Sequence, residues 1–138
     1  MTAAVAACQT DSREQLLKTT KSQVELRSIQ TRAFDTRDAE KTLRTVMATL
    51  QDLGFVIDKA DATLGSVTAT KLDGYLLKMT VSVRDRGETQ LLIRANAQYQ
   101  NQGVEDPEPY QNFFTALEKS MFLAAHQVDL RSFEGRQK

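Results

Sequence analysis

A single histidine, His126, and a single cysteine, Cys8, bound the chemistry open to this chain. A serine or threonine nucleophile needs a neighbouring base, and in a triad that base would have to be His126. No Gly-x-Ser-x-Gly elbow presents a serine to it. His126 falls late in a helix-patterned segment, just off its apolar stripe, where the helix dipole favours the charged form. No acid–base constellation surrounds it in the sequence, so no catalytic residue is assigned. One histidine and one cysteine also leave too few ligands for the common zinc arrangements. Asp58, Asp61, Glu105, Asp106 and Glu108 offer oxygen ligands but lack the alternating spacing of an EF-hand loop, and they read as turn and cap residues. Gly54, Gly65, Gly74, Gly87, Gly103 and Gly135 stand singly and form no phosphate-cradling loop. The residues point to no enzyme, no cofactor and no metal.

Charge and composition narrow the class further. The 138 residues carry 18 Lys and Arg against 18 Asp and Glu, for a net charge of zero. A general nucleic-acid binder needs a basic excess for its phosphate contacts, so no nucleic-acid partner is expected. With 41% hydrophobic and 26% charged residues, the chain has the make-up of a globular domain rather than a disordered one. Its length suits one domain plus a tail, and roughly two-thirds of the unfolded surface is buried at this size without metal or disulfide staples. No run of 18 apolar residues is present to span a membrane as a helix.

The elements that would position any site follow from periodicity. Residues 1–8 are small and apolar, and residues 9–24 read as a polar tether. A single domain is expected over 25–130, with a polar, frayed tail over 131–138. Within it, residues 25–34 are expected to form a strand. Asp35, Thr36 and Asp38 then supply a helix cap and an acidic first turn. Ala39, Leu43, Val46, Met47, Leu50 and Leu53 form one amphipathic stripe, and Gly54 occupies the left-handed position that ends it. Strands are expected from Phe55 to Ala60, from Ser66 to Lys71, around Leu77, Met79, Val81 and Val83, and around Leu91, Ile93, Ala95, Ala97 and Tyr99. Asp73-Gly74 signals a hairpin between the second and third of these. Asp106-Pro107 opens a second helix of about 22 residues, with Tyr110, Phe114, Leu117, Met121, Ala124 and Val128 as its stripe. The order β-α-β-β-β-β-α predicts a two-layer α+β domain: an antiparallel sheet with both helices on one face and polar residues on the other.

At the N-terminus, Val5-Ala6-Ala7-Cys8 resembles the lipobox of bacterial lipoproteins, in which an aliphatic and two small residues precede a lipid-modified cysteine. The sole cysteine ends the only small apolar run, a polar tether follows it, and the domain beyond is free of cysteine. Only seven residues, none of them basic, precede Cys8, so residues 1–8 are read as the remnant of a longer signal. The resemblance implies lipidation of Cys8 by a diacylglyceryl thioether, often with a further N-acyl chain such as palmitate. Two or three chains make a permanent anchor, whereas one gives only marginal binding. Gln9, rather than aspartate, follows the cysteine, which under the same resemblance implies the periplasmic face of the outer membrane. The domain also resembles the helix-grip domains of the BamC family, lipoproteins of the outer-membrane β-barrel assembly machinery. The likeness rests on Leu43-x-x-Val46, Leu50-x-x-Leu53-Gly54-Phe55-x-Ile57, Ala60-Asp61 and Leu64-Gly65-Ser66-Val67, over about residues 28–70, with the topology extending over about 25–129.

Two surfaces are candidates for binding. Leu72, Leu76 and Leu92 share the parity of the polar sheet face, with Tyr75 at the hairpin tip beside them, which predicts a small exposed apolar patch for an envelope protein partner. Phe113 and Phe122 fall beside the main stripe of the second helix and are expected to line a groove between helix and sheet. The expectation is therefore a lipid-anchored, non-enzymatic accessory or scaffolding module, monomeric or weakly oligomeric. The alternative is a carrier of a lipid or other hydrophobic molecule in that groove, which needs an apolar cavity of several hundred Å³.

Overall fold

Alternation in the sequence becomes the two faces of one sheet. The computed structural model describes residues 23–72 and 74–137, with residues 126–137 as backbone only. Cys8, the tether up to residue 22, Asp73 and the His126 side chain lie outside the described residues. Six strands form an antiparallel sheet: β1 (Thr31–Phe34), β2 (Val56–Asp61), β3 (Ser66–Leu72), β4 (Leu76–Arg86), β5 (Gln90–Tyr99) and the short β6 (Gln102–Gly103). Their spatial order is β1-β5-β4-β3-β2, and β6 also pairs with β5. Three helices pack against this sheet: α1 over residues 23–30, α2 (Ala39–Asp52) and α3 (Pro107–Gln137). The α+β class, the antiparallel sheet and the covered face agree with the sequence expectation.

The covered face is built by register. Val67, Val81 and Ala95 lie side by side across three strands, as do Ala69, Met79 and Ala97, and all six are buried. Leu43, Val46 and Leu50 from α2 and Tyr110, Phe113, Phe114 and Leu117 from α3 close the core over them. On the other parity, Thr68, Thr80 and Asn96 form a row that no helix covers, partly or wholly exposed.

The ends of α2 are as the sequence predicts. The Asp38 carboxylate accepts the Lys41 amide at 3.0 Å, satisfying one of the free N–H groups of the first turn. At the other end Gly54 has φ +91°, its amide donates to Gln51 O, and the Phe55 amide donates to Leu50 O. These two bonds are the Schellman closure, which requires a left-handed residue and so favours glycine.

Several expectations need correction. The strand predicted over 25–34 is confined to Thr31–Phe34, and 23–30 are helical. Leu26 and Ile29, three residues apart, pack against the core from α1, a spacing that suits a helix face. Among the described residues there are thus three helices rather than two, and the first includes Gln23 and Val24 of the segment read as tether. In α2 Ala39 is exposed, while Thr42 and Thr49 are buried; the Thr49 hydroxyl donates to Thr45 O, which lets it sit inside. Helix α3 continues to Gln137 through the segment expected to fray. That segment contains no proline, and its one glycine costs a helix only about 1 kcal/mol.

Candidate functional site

The hairpin from β3 to β4 turns at Gly74, whose φ of +72° is the left-handed conformation the Asp-Gly signal implies. Leu72 pairs with Leu76 across its mouth, and both lie on the open face, 76% and 59% exposed. Tyr75 turns the other way. Its ring stands edge-on to Tyr99 at 4.7 Å between centroids, and Tyr99 pairs with Leu77, which belongs to the covered parity. Tyr75 remains 43% exposed at the edge of the sheet.

On that side Tyr75 helps to line a cleft of about 200 Å³ with Phe55, Lys71, Leu77, Asp106 and Glu108. The Lys71 ammonium lies 5.8 Å from the centre of the Phe55 ring, a cation–π contact. Asp106 is tied to the helix it precedes, accepting the Glu108 amide at 3.0 Å. Tyr110, on the same helix, is wholly buried; its hydroxyl donates to Val104 O at 2.6 Å and accepts from the Ala97 amide and from Gln30 Nε2. One hydroxyl thereby joins α1, β5, α3 and the loop before α3.

The four residues expected to form one patch are separated. Leu92 pairs with Arg84 and with Ala33, and it is half-buried. Arg84 and Leu76 are eight positions apart on β4, about 26 Å. Shared parity placed Leu72, Leu76 and Leu92 on one face, but only pairing register tells which row each occupies. Leu72 and Leu76 are adjacent, Tyr75 is beside them over the edge, and Leu92 is at the far end.

The two groove phenylalanines also part company. Phe113 is wholly buried, packed edge-to-face with Phe114 at 5.1 Å, and is a core residue. Phe122 is 61% exposed and lines an open groove of about 530 Å³ with Phe34, Lys41, Thr45, Met121 and Ala125, between the start of α2 and the later part of α3. Sequence spacing alone could not separate the two, because both flank the same helical stripe.

Among the described residues, no group of three or more His, Cys, Asp or Glu side chains is placed to hold a metal ion, and no helix is long and apolar enough to cross a membrane. Asp58 instead accepts the Thr70 hydroxyl, and Asp61 accepts the Leu64 amide at 3.0 Å within the β2–β3 turn. No protein-family model matches the chain, and no curated protein matches its sequence.

Proposed function

We propose that this protein is a lipid-anchored, non-enzymatic module of the bacterial outer membrane, held at its periplasmic face through Cys8 and acting as an accessory or scaffolding partner of another envelope protein. The observation that carries this reading is Val5-Ala6-Ala7-Cys8, a lipobox-like run whose cysteine is the only one in the chain and is followed by a polar segment. The likeness to the helix-grip domains of the BamC family supports it. The order β1-α2-β2-β3-β4-β5-α3 is the order that likeness implies, with α1 and β6 added. The partner contact is the hairpin end: Tyr75 first, with Leu76 and Leu72 beside it. Interfaces draw most of their energy from a few apolar or aromatic anchors within a polar rim, and this end offers those residues exposed.

The test is fractionation of cells expressing the native gene from its own start. The wild-type protein is expected in the outer-membrane fraction, and Cys8→Ser in a soluble or unprocessed form. Unchanged fractionation of Cys8→Ser contradicts the anchor.

The carrier reading is favoured by one feature, the open groove at Phe122. Its lining mixes Met121 and Phe34 with Asp35, Lys41, Thr42 and Thr45, and a carrier would take an amphiphile rather than a wholly apolar molecule there. Saturable binding of a fluorescent fatty acid, lost in Phe122→Asp, would select this alternative.

A further inference from the structure

The strand register gathers a set of cations that the zero net charge conceals. Lys59, Lys78, Arg84, Arg86 and Arg94 all have the parity of the open face, and all are exposed. Three carboxylates on that side or at its margin keep their charge while accepting neutral donors: Asp58 from the Thr70 hydroxyl, Asp61 from the Leu64 amide and Asp35 from the Gln90 side chain. Arg84 donates locally to Leu64 O. The ion pairs among the described residues, Arg32–Glu118 and Arg44–Glu40, both lie on the helical side of the sheet. The open face thus carries five cations, none of them in an ion pair among the described residues, against these three carboxylates, a basic excess spread over β2, β4 and β5 and set among hydroxyl and amide side chains such as Thr68, Thr80, Ser82 and Asn96.

From this geometry we infer that the open sheet face docks on the surface of a bilayer containing anionic phospholipid, its lysines and arginines meeting lipid phosphates. The charge complementarity is direct, since juxtamembrane cations are drawn to anionic headgroups and bind their phosphate oxygens. The shape favours a bilayer over a nucleic acid. The cations are distributed in two dimensions on a sheet face, and no Phe, Tyr or His has the open parity of β2 to β5 to stack a base. Exposed Val56, paired with Thr70, shares that face, an aliphatic group beside cations, as on surfaces that rest in a membrane interface. In this pose the helical layer and the Tyr75 cleft face away from the lipid, and the hairpin end with Leu72 and Leu76 lies at the margin of the contact, open to a partner. The inference goes beyond the anchor at Cys8 and does not depend on it.

The experiment uses the full chain carrying Cys8→Ser, so that no acyl chain contributes. It is sedimented with vesicles of phosphatidylcholine alone or of phosphatidylcholine mixed with phosphatidylglycerol. Binding is expected to the mixed vesicles only, and high salt should release it. Lys78→Glu with Arg94→Glu should weaken binding by about tenfold or more. Lys59→Glu with Arg86→Glu should do the same, and this second pair keeps the test open if the first fails to fold. Lys41→Glu with Arg44→Glu, the same change in net charge on the helical side, should bind as the parent does. The inference is overturned if the parent ignores phosphatidylglycerol, or if the helical-side pair weakens binding as much as the sheet pairs. Binding of a glutamate-rich peptide without any vesicle binding would overturn it too, and would assign the face to an acidic protein. None of these results bears on acylation of Cys8, which the fractionation experiment reads separately.

Discussion

Val81 lies between Val67 and Ala95 beneath the helices, while its neighbour Thr80 lies between Thr68 and Asn96 with no helix above it. One position along a strand therefore separates a residue that holds the fold from one that is free to meet something else. The covered face is apolar because the helices need a surface on which to bury their stripes. The open face has no such constraint, and its cations, hydroxyls and paired leucines are placed by register rather than by packing. Core packing and the proposed lipid contact fall on opposite sides of the same backbone, so substitutions on the two sides should differ in kind.

The largest effects belong to the covered face. Leu50→Ala and Leu117→Ala each empty a wholly buried site, on α2 and on α3, and each should cost about 2–5 kcal/mol in denaturant unfolding. A loss near zero for either would break the contrast between the faces.

Gly65 ranks next. Its φ is +67°, and a Cβ there would stand 2.7 Å from the Val83 carbonyl oxygen, backbone that cannot swing aside. Gly65→Ala should cost about 1–3 kcal/mol. Gly87→Ala makes the sharper comparison: φ is +62° there, but nothing lies within 4 Å, so its cost should be the smaller of the two.

Tyr110→Phe keeps the ring and removes the hydroxyl shared by Val104 O, the Ala97 amide and Gln30. Leaving these partners buried without it should cost about 1–3 kcal/mol. Hydrogen exchange should rise first at the Ala97 amide and in α1.

The smallest effect is expected at the hairpin. Tyr75→Ala with Leu76→Ala should cost less than about 1 kcal/mol of stability, as exposed positions usually do. On the proposed reading it should nonetheless reduce cross-linking to the envelope partner, and a double variant that keeps every cross-link would move the binding surface elsewhere.

How much of this was legible in the sequence depends on which forces act locally. The α2 stripe, the Asp38 cap and the Gly54 closure could be read because each rests on residues within one or two turns. The long strands could be read from alternation alone. Helix α1 was hidden because Leu26 and Ile29 are too few to fix a period, and what holds them is the core they pack against. The binding candidates needed more than parity. Leu72, Leu76 and Leu92 share a face, yet pairing with Arg84 sends Leu92 to the far end, and the Tyr99 ring draws Tyr75 over the edge. The basic excess was written in the same alternation that marked β4 and β5, but whole-chain charge averages it away against carboxylates elsewhere in the chain.

Lipidation of Cys8 carries the proposed localisation, and a mass measurement tests it most directly. The protein is expressed from its native gene, extracted from bacterial membranes and digested, and the peptide containing Cys8 is weighed. A new N-terminus at Cys8 carrying a diacylglyceryl thioether is the expected result. An unmodified Cys8 thiol within an uncleaved N-terminal peptide would contradict it.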